Sequence, residues 1–290
     1  MTQLKLKDKV FYRKHTLNLG GKILDLTIPK VMGVLNVTPD SFYDGGKNSL
    51  PSLILEKATK MIGDGASILD IGGYCSRPNA VHISEQEEID RVVPAIKLIK
   101  KEFPDSAISI DTFRAKVAQK AIDAGADMIN DISGGNLDSE MFETVAKNHV
   151  PYVLMHMKGT PQNMQSLTNY ESIQVELMDY FQNKLYKLHE IGVADVILDV
   201  GIGFAKTLEQ NFDLLNNLQL FEILSSPILV GISRKSLIYK TLGCTANDSL
   251  NGTTALNMIA LQNGASLLRV HDVKEAIEAV KLNYKISVLY

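Results

Sequence analysis

The chain has little cysteine, with two residues in 290, Cys75 and Cys244. Two thiols cannot build a disulfide framework or a four-thiolate metal site, and such a chain suits a reducing cytoplasm. It has no apolar run approaching the roughly 20 residues that a membrane span needs. Its first stretch, MTQLKLKDKVFYRK, carries charge throughout and lacks the apolar core of a secretory signal. An excess of one charge is missing too. Thirty basic residues against 33 acidic leave a net charge of −3, which gives no general pull toward nucleic acid or an anionic membrane. The six histidines are scattered, with no H-x-x-x-H and no Cys/His pairing, so a zinc cluster is excluded.

What is present is a repeated alternation of short apolar runs with longer helical patterns. The runs are VMGVLN, SILDI, AISI, MIN, YVLM, VILD, ILVGI and SLLRV. They are continuous and rich in Val, Ile and Leu, as strands buried on both faces must be. Between and after them the pattern predicts helices over Ser52–Gly63, Ser84–Glu102, Arg114–Ala124, Ser139–Asn148, Glu171–Ile191, Glu209–Asn216, Ser249–Gln262 and Val273–Ile286. Ser84 and Glu87 have capping-box spacing, and Ile89, Val92, Val93, Ile96 and Ile99 fall on one face of the helix that follows. Ahead of the first run, TLNLGGKILDL reads as two strands joined by a Gly20-Gly21 turn. About eight strand–helix units behind a hairpin predict an α/β fold, a (β/α)8 TIM barrel with an N-terminal β-hairpin. No composition break divides the chain, so residues 1–290 read as one domain with a hairpin segment over 1–30. A doubly wound sheet is the alternative, but its glycine-rich turn after the first strand is absent. GGKNS fails as a P-loop because Ser41 and Asn48 stand at two of its required positions.

In such a barrel, chemistry sits at the carboxyl ends of the strands. Those ends supply Asn36, then Asp70 with Ser76 and Arg77, then Asp111. Asn130 with Asp131, His156, Asp199, Ser233-Arg234-Lys235, and Arg269 with His271 complete the ring. Each has a plainer role open to it. Asp70 and Asp131 can bond loop amides around GGYC and SGG. Asp111 can cap the next helix. His156, between two methionines, can be a satisfied buried histidine or a catalytic one. No helix starts near enough for Asp199 to cap it. Lys235 and Arg269 lie where these barrels often bind phosphate, and arginine matches phosphate oxygens bidentately. Two carboxylates, an asparagine and a lysine suit a flat heterocycle with an amidine-like donor edge. Asn36, Ser76, Arg77, Arg269 and His271 suit a phosphate or pyrophosphate, with which Asn36 can share a hard cation such as Mg²⁺. A ring site beside a site for a leaving anion implies group transfer.

Beyond Val31, GVLNVTPDSFYDGG, DIGGYCSRPNA, SIDTF, INDISGG, LMHMKGTPQNM, LDVGIGFAKT, GISRKS and RVHDV run in one order. In that order they resemble the dihydropteroate synthase family, pterin-binding enzymes of folate biosynthesis that sulfonamides inhibit. The resemblance implies transfer of a 7,8-dihydropterin-6-ylmethyl group from its pyrophosphate ester to 4-aminobenzoate, giving 7,8-dihydropteroate and pyrophosphate. It implies a dissociative mechanism, Mg²⁺ as the metal with Asn36 as its ligand, and a homodimer. By the same resemblance, Asp111, Asn130, Asp199, Lys235, Met155, Gly203 and Gly231 would hold the pterin, with Asp111, Lys235 and Asp199 catalytic. Asn36, Ser76, Arg77, Arg269 and His271 would bind pyrophosphate. Phe42, Ser76, Pro78, Phe204, Lys235 and Ser236 would form the aminobenzoate side.

Some positions depart from the family pattern. Tyr74-Cys75-Ser76 replaces the usual Glu-Ser-Thr, Asn79 a glycine, Val200 a proline and Ile202 a phenylalanine. Two rivals are a pterin-binding methyltransferase that serves a corrinoid protein and a homologue without chemistry. The first has no use for a pyrophosphate site; the second has none for the full set of strand-end groups. The last two helices carry extra apolar residues, Leu256, Ile259, Ala260, Ile277 and Val280, which could pack against a second copy.

Overall fold

A computed structural model describes residues 14–38, 50–74 and 82–288. The hairpin comes first, with β1 (Thr16–Leu19) antiparallel to β2 (Lys22–Asp25). Gly20 and Gly21 turn it with φ of 58° and 88°, the two left-handed residues that a tight hairpin turn requires. Eight parallel strands then close a barrel: β3 (Lys30–Asn36), β4 (Ile68–Gly72), β5 (Ala107–Asp111), β6 (Met128–Asp131), β7 (Tyr152–Met155), β8 (Val196–Asp199), β9 (Ile228–Val230) and β10 (Leu267–Val270). Each pairs with its neighbour in the chain, and β10 closes on β3.

The helices are α1 (Leu50–Gly63), α2 (Glu85–Glu102), α3 (Ala115–Asp123), α4 (Met141–Asn148), α5 (Ile173–Glu190), α6 (Leu208–Asn216), α7 (Ser236–Leu242), α8 (Leu250–Gln262) and α9 (Val273–Ser287). Those expected from the sequence are all present, with ends that differ by up to two residues. The short α7 was not expected, because seven residues carry too little periodicity to read. At α2, Ser84 Oγ accepts from the Glu87 amide at 3.1 Å, but the Glu87 carboxylate turns to Arg91 at 2.6 Å. The capping box there is therefore half made. The complete one is at α6, between Thr207 and Gln210.

Strand alternation sorts the side chains into layers. Val31, Leu35, Leu69, Ile71, Ile108, Ile110 and their counterparts point outward into the shell between barrel and helices. Met32, Ile68, Met128, Val153, Ile197, Leu229 and Leu267 point inward at the lower end, where Leu17, Leu19 and Leu26 of the hairpin segment plug the barrel. An upper apolar cluster holds Ile132, Met155, Met157, Met164 and Ala205, with Phe113 and Phe204 against it. Polar residues fill the interior between these two. Of the apolar residues noted on the last two helices, Ala260 and Val280 are buried and Leu256 and Ile277 pack on the core; Ile259 is 40% exposed. Most of that apolar surface thus serves the fold itself.

Candidate active site

One register row carries most of the site. Asn36 of β3 stands opposite Gly72 of β4, Gly72 opposite Asp111 of β5, and Asp111 opposite Asn130 of β6. A Cβ at Gly72 would lie 3.2 Å from Asn36 Oδ1 and 3.6 Å from Asp111 Oδ2, so the missing side chain leaves room for these two groups. Arg269 enters from β10. Its Nε donates to Asp70 Oδ2 and its Nη2 to Asp111 Oδ2, each at 2.6 Å. Asn130 Nδ2 donates to the same Asp70 oxygen at 3.0 Å.

Two plainer readings fail here. Asp70 bonds no loop amide; mid-strand in β4, it points into the barrel and is fully buried. Asp111 does not cap α3, whose first amide, that of Ala115, is taken by Asp138 Oδ2 at 2.7 Å. Strand period decides both cases, because Ile68, Asp70 and Gly72 share the inward face. Asp131 does hold its loop, accepting from the Ser133 and Gly135 amides at 2.7 and 2.8 Å and from Tyr152 Oη at 2.7 Å.

The opposite wall comes from β8 and β9. Asp199 is buried, and its Oδ1 accepts from the Gly201 amide at 2.8 Å, so it shapes a turn although it caps no helix. Lys235 is half-buried, with Nζ 2.5 Å from the Ile202 carbonyl and 4.6 Å from the centre of the Phe204 ring. Gly203 and Gly231 flank it: a Cβ on either would reach the Lys235 side chain at 3.1 and 3.9 Å. Arg234, just before it, has a left-handed φ of 56°. A two-pronged pair with Asp272 at 2.7 and 2.8 Å holds that strained residue and ties the loop after β9 to the loop after β10. His271 is exposed, its Nδ1 3.1 Å from Ser233 Oγ. Met155 is buried beneath the mouth, and Ser236 opens α7.

Burial dominates the charge states. It raises Asp111 to about 7, against the pull of Arg269 and with help from Asp70. It raises Asp199 as well, with Lys235 opposing. Burial lowers Lys235 to about 8, opposed by Asp199 and aided by Arg269. Burial also lowers His156 to about 2, followed by the Lys206 charge. Sequence reading missed Lys206. Its ammonium is buried within reach of His156 Nδ1 (3.2 Å), the His156 carbonyl (3.3 Å) and the Phe204 carbonyl (2.9 Å), and no local pattern marks it. His156 thus takes the structural of its two roles, locked to Lys206 and edge-on to Tyr180 at 4.9 Å. Tyr74 Oη meets His82 Nδ1 at 3.3 Å and accepts from Gln162 at 2.8 Å, a link between the β4 and β7 loops. Phe42, Ser76, Arg77 and Pro78 lie outside the described residues.

Asn36, Asp111, Asn130, Asp199, Lys235 and Arg269 therefore converge on the carboxyl end of one barrel, where carboxylates and cations alternate beside the apolar cluster of Met155 and Phe204. Such a site can bind a donor-rich ring and stabilise charge of either sign. The family model described as pterin binding enzyme matches residues 32–271. A dihydropteroate synthase of Synechocystis is 45% identical over 256 residues, 87% of this chain and 88% of the relative. That of Escherichia coli K12 is 40% identical over 264 residues, covering 90% and 93%. Among solved structures, the Yersinia pestis dihydropteroate synthase with a sulfonamide drug superposes with a TM-score of 0.88 at 39% identity, covering 95% of this chain and all of that one. The Xanthomonas albilineans enzyme with 4-aminobenzoic acid also scores 0.88, at 34% identity, covering 94% and 98%. With more than two thirds of the chain aligned on each count, the sequence, the barrel and the placement of its polar groups agree: this chain belongs to the pterin-binding enzyme family and, within it, to the dihydropteroate synthases.

Proposed function

We propose that this barrel joins a 7,8-dihydropterin-6-ylmethyl pyrophosphate to 4-aminobenzoate, releasing pyrophosphate and forming 7,8-dihydropteroate. The observation that carries the reading is the register row from Asn36 to Asn130, with Arg269 and Lys235 closing on it. Xanthomonas albilineans dihydropteroate synthase, solved with 7,8-dihydropteroate, is 32% identical to this chain with a TM-score of 0.85.

Asp111, Asn130, Asp199 and Lys235 hold the pterin ring by its donor and acceptor edges, over Met155 and between Gly203 and Gly231. The C–O bond to pyrophosphate breaks first, its electron pair leaving with the anion. The carboxylates of Asp111 and Asp199 then stabilise the cationic pterin methylene. The aniline nitrogen of 4-aminobenzoate attacks with its lone pair, forms the C–N bond and gives up a proton to solvent. Arg269, His271 and Arg77 balance the departing charge. Phe42, Ser76, Pro78, Phe204 and Ser236 hold the second substrate, the side that a sulfonamide would occupy as an inhibitor.

No group of three or more His, Cys, Asp or Glu able to hold a metal stands among the described residues. The mouth offers the amide oxygen of Asn36, a hard neutral donor. Mg²⁺ is usually held by one or two protein oxygens, with phosphate oxygens and water supplying the others. The residues fit that ion, and Asn36 would hold it. Bound Mg²⁺ would neutralise charge on the leaving pyrophosphate. We place the enzyme in the cytoplasm as a homodimer, on the low cysteine content and the resemblance to its family; among the described residues no helix is long and apolar enough to cross a membrane.

The test is a pyrophosphate-release assay with product analysis. Release should require the pterin ester, 4-aminobenzoate and Mg²⁺ together. Methyl transfer from a methylpterin to a corrinoid acceptor, with no dihydropteroate formed, would replace this reading by the methyltransferase one.

A further inference from the structure

We propose that Asp70 is a positioning residue, which fixes the directions of Arg269 and Asn130 from inside the barrel and thereby sets the affinity for the pyrophosphate ester. The inference rests on the reaction assigned above and adds to it a fully buried residue that meets Arg269 and Asn130.

Asp70 stands in the register row beneath the site, between Val34 of β3 and Ser109 of β5. It is fully buried, and both of its bonds pass through one oxygen: Oδ2 accepts from Arg269 Nε at 2.6 Å and from Asn130 Nδ2 at 3.0 Å. Oδ1, equally buried, is hydrogen-bonded by no described residue. A buried carboxylate with one oxygen unbonded by the protein costs stability. Its charge is explained by the two groups it holds.

What it does for each follows from their donors. Arg269 carries five N–H groups in a planar fork. Asp70 takes one and Asp111 another, so the guanidinium is anchored at two corners, and its plane can no longer swing. The remaining donors, both of those on Nη1 among them, keep a fixed direction in which to meet an anion. Without Asp70 the fork would hang from Asp111 alone and rotate. For Asn130, committing Nδ2 to Asp70 decides which end of the amide is donor and which acceptor. Outer partners that orient metal ligands are worth about 10- to 100-fold in affinity or activity, and the same scale is expected for a partner that orients a binding residue.

The experiment compares Asp70→Asn in the wild-type and Arg269→Gln backgrounds. Read-outs are KM for each substrate, the melting temperature, and calorimetric affinity for inorganic pyrophosphate with Mg²⁺. Asp70→Asn should raise KM for the ester and weaken pyrophosphate binding by about 10- to 100-fold. KM for 4-aminobenzoate should move by less than about twofold, while the melting temperature falls because Arg269 loses one of its two buried carboxylate partners. In the Arg269→Gln background the same change should weaken pyrophosphate binding by less than about twofold further, because the partner through which Asp70 acts on the anion is gone. The inference is overturned if Asp70→Asn, assayed well below its melting temperature, binds pyrophosphate like wild type, or if its effect on that binding is equally large in both backgrounds. A wild-type protein that makes no dihydropteroate would remove the reaction, whereas the pyrophosphate titration would still report on Asp70.

Discussion

Arg269 and Lys235 are both cations at barrel strand ends, yet their surroundings separate them. Arg269 is shared between two carboxylates and stays charged at any working pH, its guanidinium favoured by Asp70 and Asp111 over the opposing cost of burial. Lys235 bonds a carbonyl and has been lowered to about 8 by burial. Replacing Lys235 by Ala leaves pterin acceptors and Asp199 without their cation. The expected cost is about 3–5 kcal/mol, by analogy with broken buried pairs. That amounts to roughly a hundred- to several-thousandfold in kcat/KM. An enzyme within about threefold of wild type would make the lysine a loop cation only. The pH profile follows from the same two groups. Asp111 works as the anion, so kcat/KM should rise with pH as it ionises near 7. Lys235 works as the cation, so the rate should fall again as it loses its proton near 8. A bell with a narrow top is expected in a kcat/KM–pH profile, and Lys235→Arg should flatten its alkaline side. A profile flat from pH 5 to 10 would remove both assignments.

At the scale of the element, the turn after β8 shows how backbone presents chemistry. Gly201 has a φ of 70°, and a Cβ there would lie 2.1 Å from the His156 carbonyl oxygen. Its amide holds Asp199, and one residue on, the Ile202 carbonyl holds Lys235. Gly201→Ala must therefore push the turn off the end of β7 and carry both catalytic candidates with it. Loss of kcat/KM by about 100-fold is expected, the effect of a 1 Å misplacement. The left-handed conformation adds a stability cost of about 1–2 kcal/mol. Kinetics and denaturant melts on one preparation would separate these, and a variant that is less stable but fully active would show that the turn does not position the site. The elements themselves were legible. Barrel strands read as Val/Ile/Leu runs because both faces are buried, and α2 read from Ser84 because its side chain caps the helix. Asp111 as a helix cap did not survive, since Asp138, 23 residues away from Ala115, fills that place. A cap supplied by another loop leaves no local trace.

For the whole molecule, the two substrates share one mouth, so their binding energies are coupled. Ser76 and Arg77 are adjacent in the chain and serve different ligands in the proposed site. An anion held by Arg77 bears directly on the neighbouring contact that Ser76 makes with 4-aminobenzoate. 4-Aminobenzoate, or a sulfonamide, should therefore bind more tightly when pyrophosphate and Mg²⁺ are present, by about 5- to 150-fold, the usual range of such couplings. Linkage requires that 4-aminobenzoate tighten pyrophosphate by the same factor. Titration calorimetry in both orders measures it, and equal affinities with and without pyrophosphate would leave the sites independent.

By itself the sequence determined the barrel, its hairpin and the set of strand-end groups, because burial on both faces and the strand–helix rhythm are local properties of composition. Asn36, Asp111, Asn130, Asp199, Lys235 and Arg269 could be named from that rhythm alone. Which of them meet was decided by closure. Arg269 lies 199 residues from Asp70 and 158 from Asp111, and only the pairing of β10 with β3 brings them within 2.6 Å. The same closure gave Asp70, expected to bond loop amides, a buried place beneath the site and gave Lys206 its buried place against His156. Contacts of that range depend on strand register and barrel shear, which no stretch of sequence carries by itself.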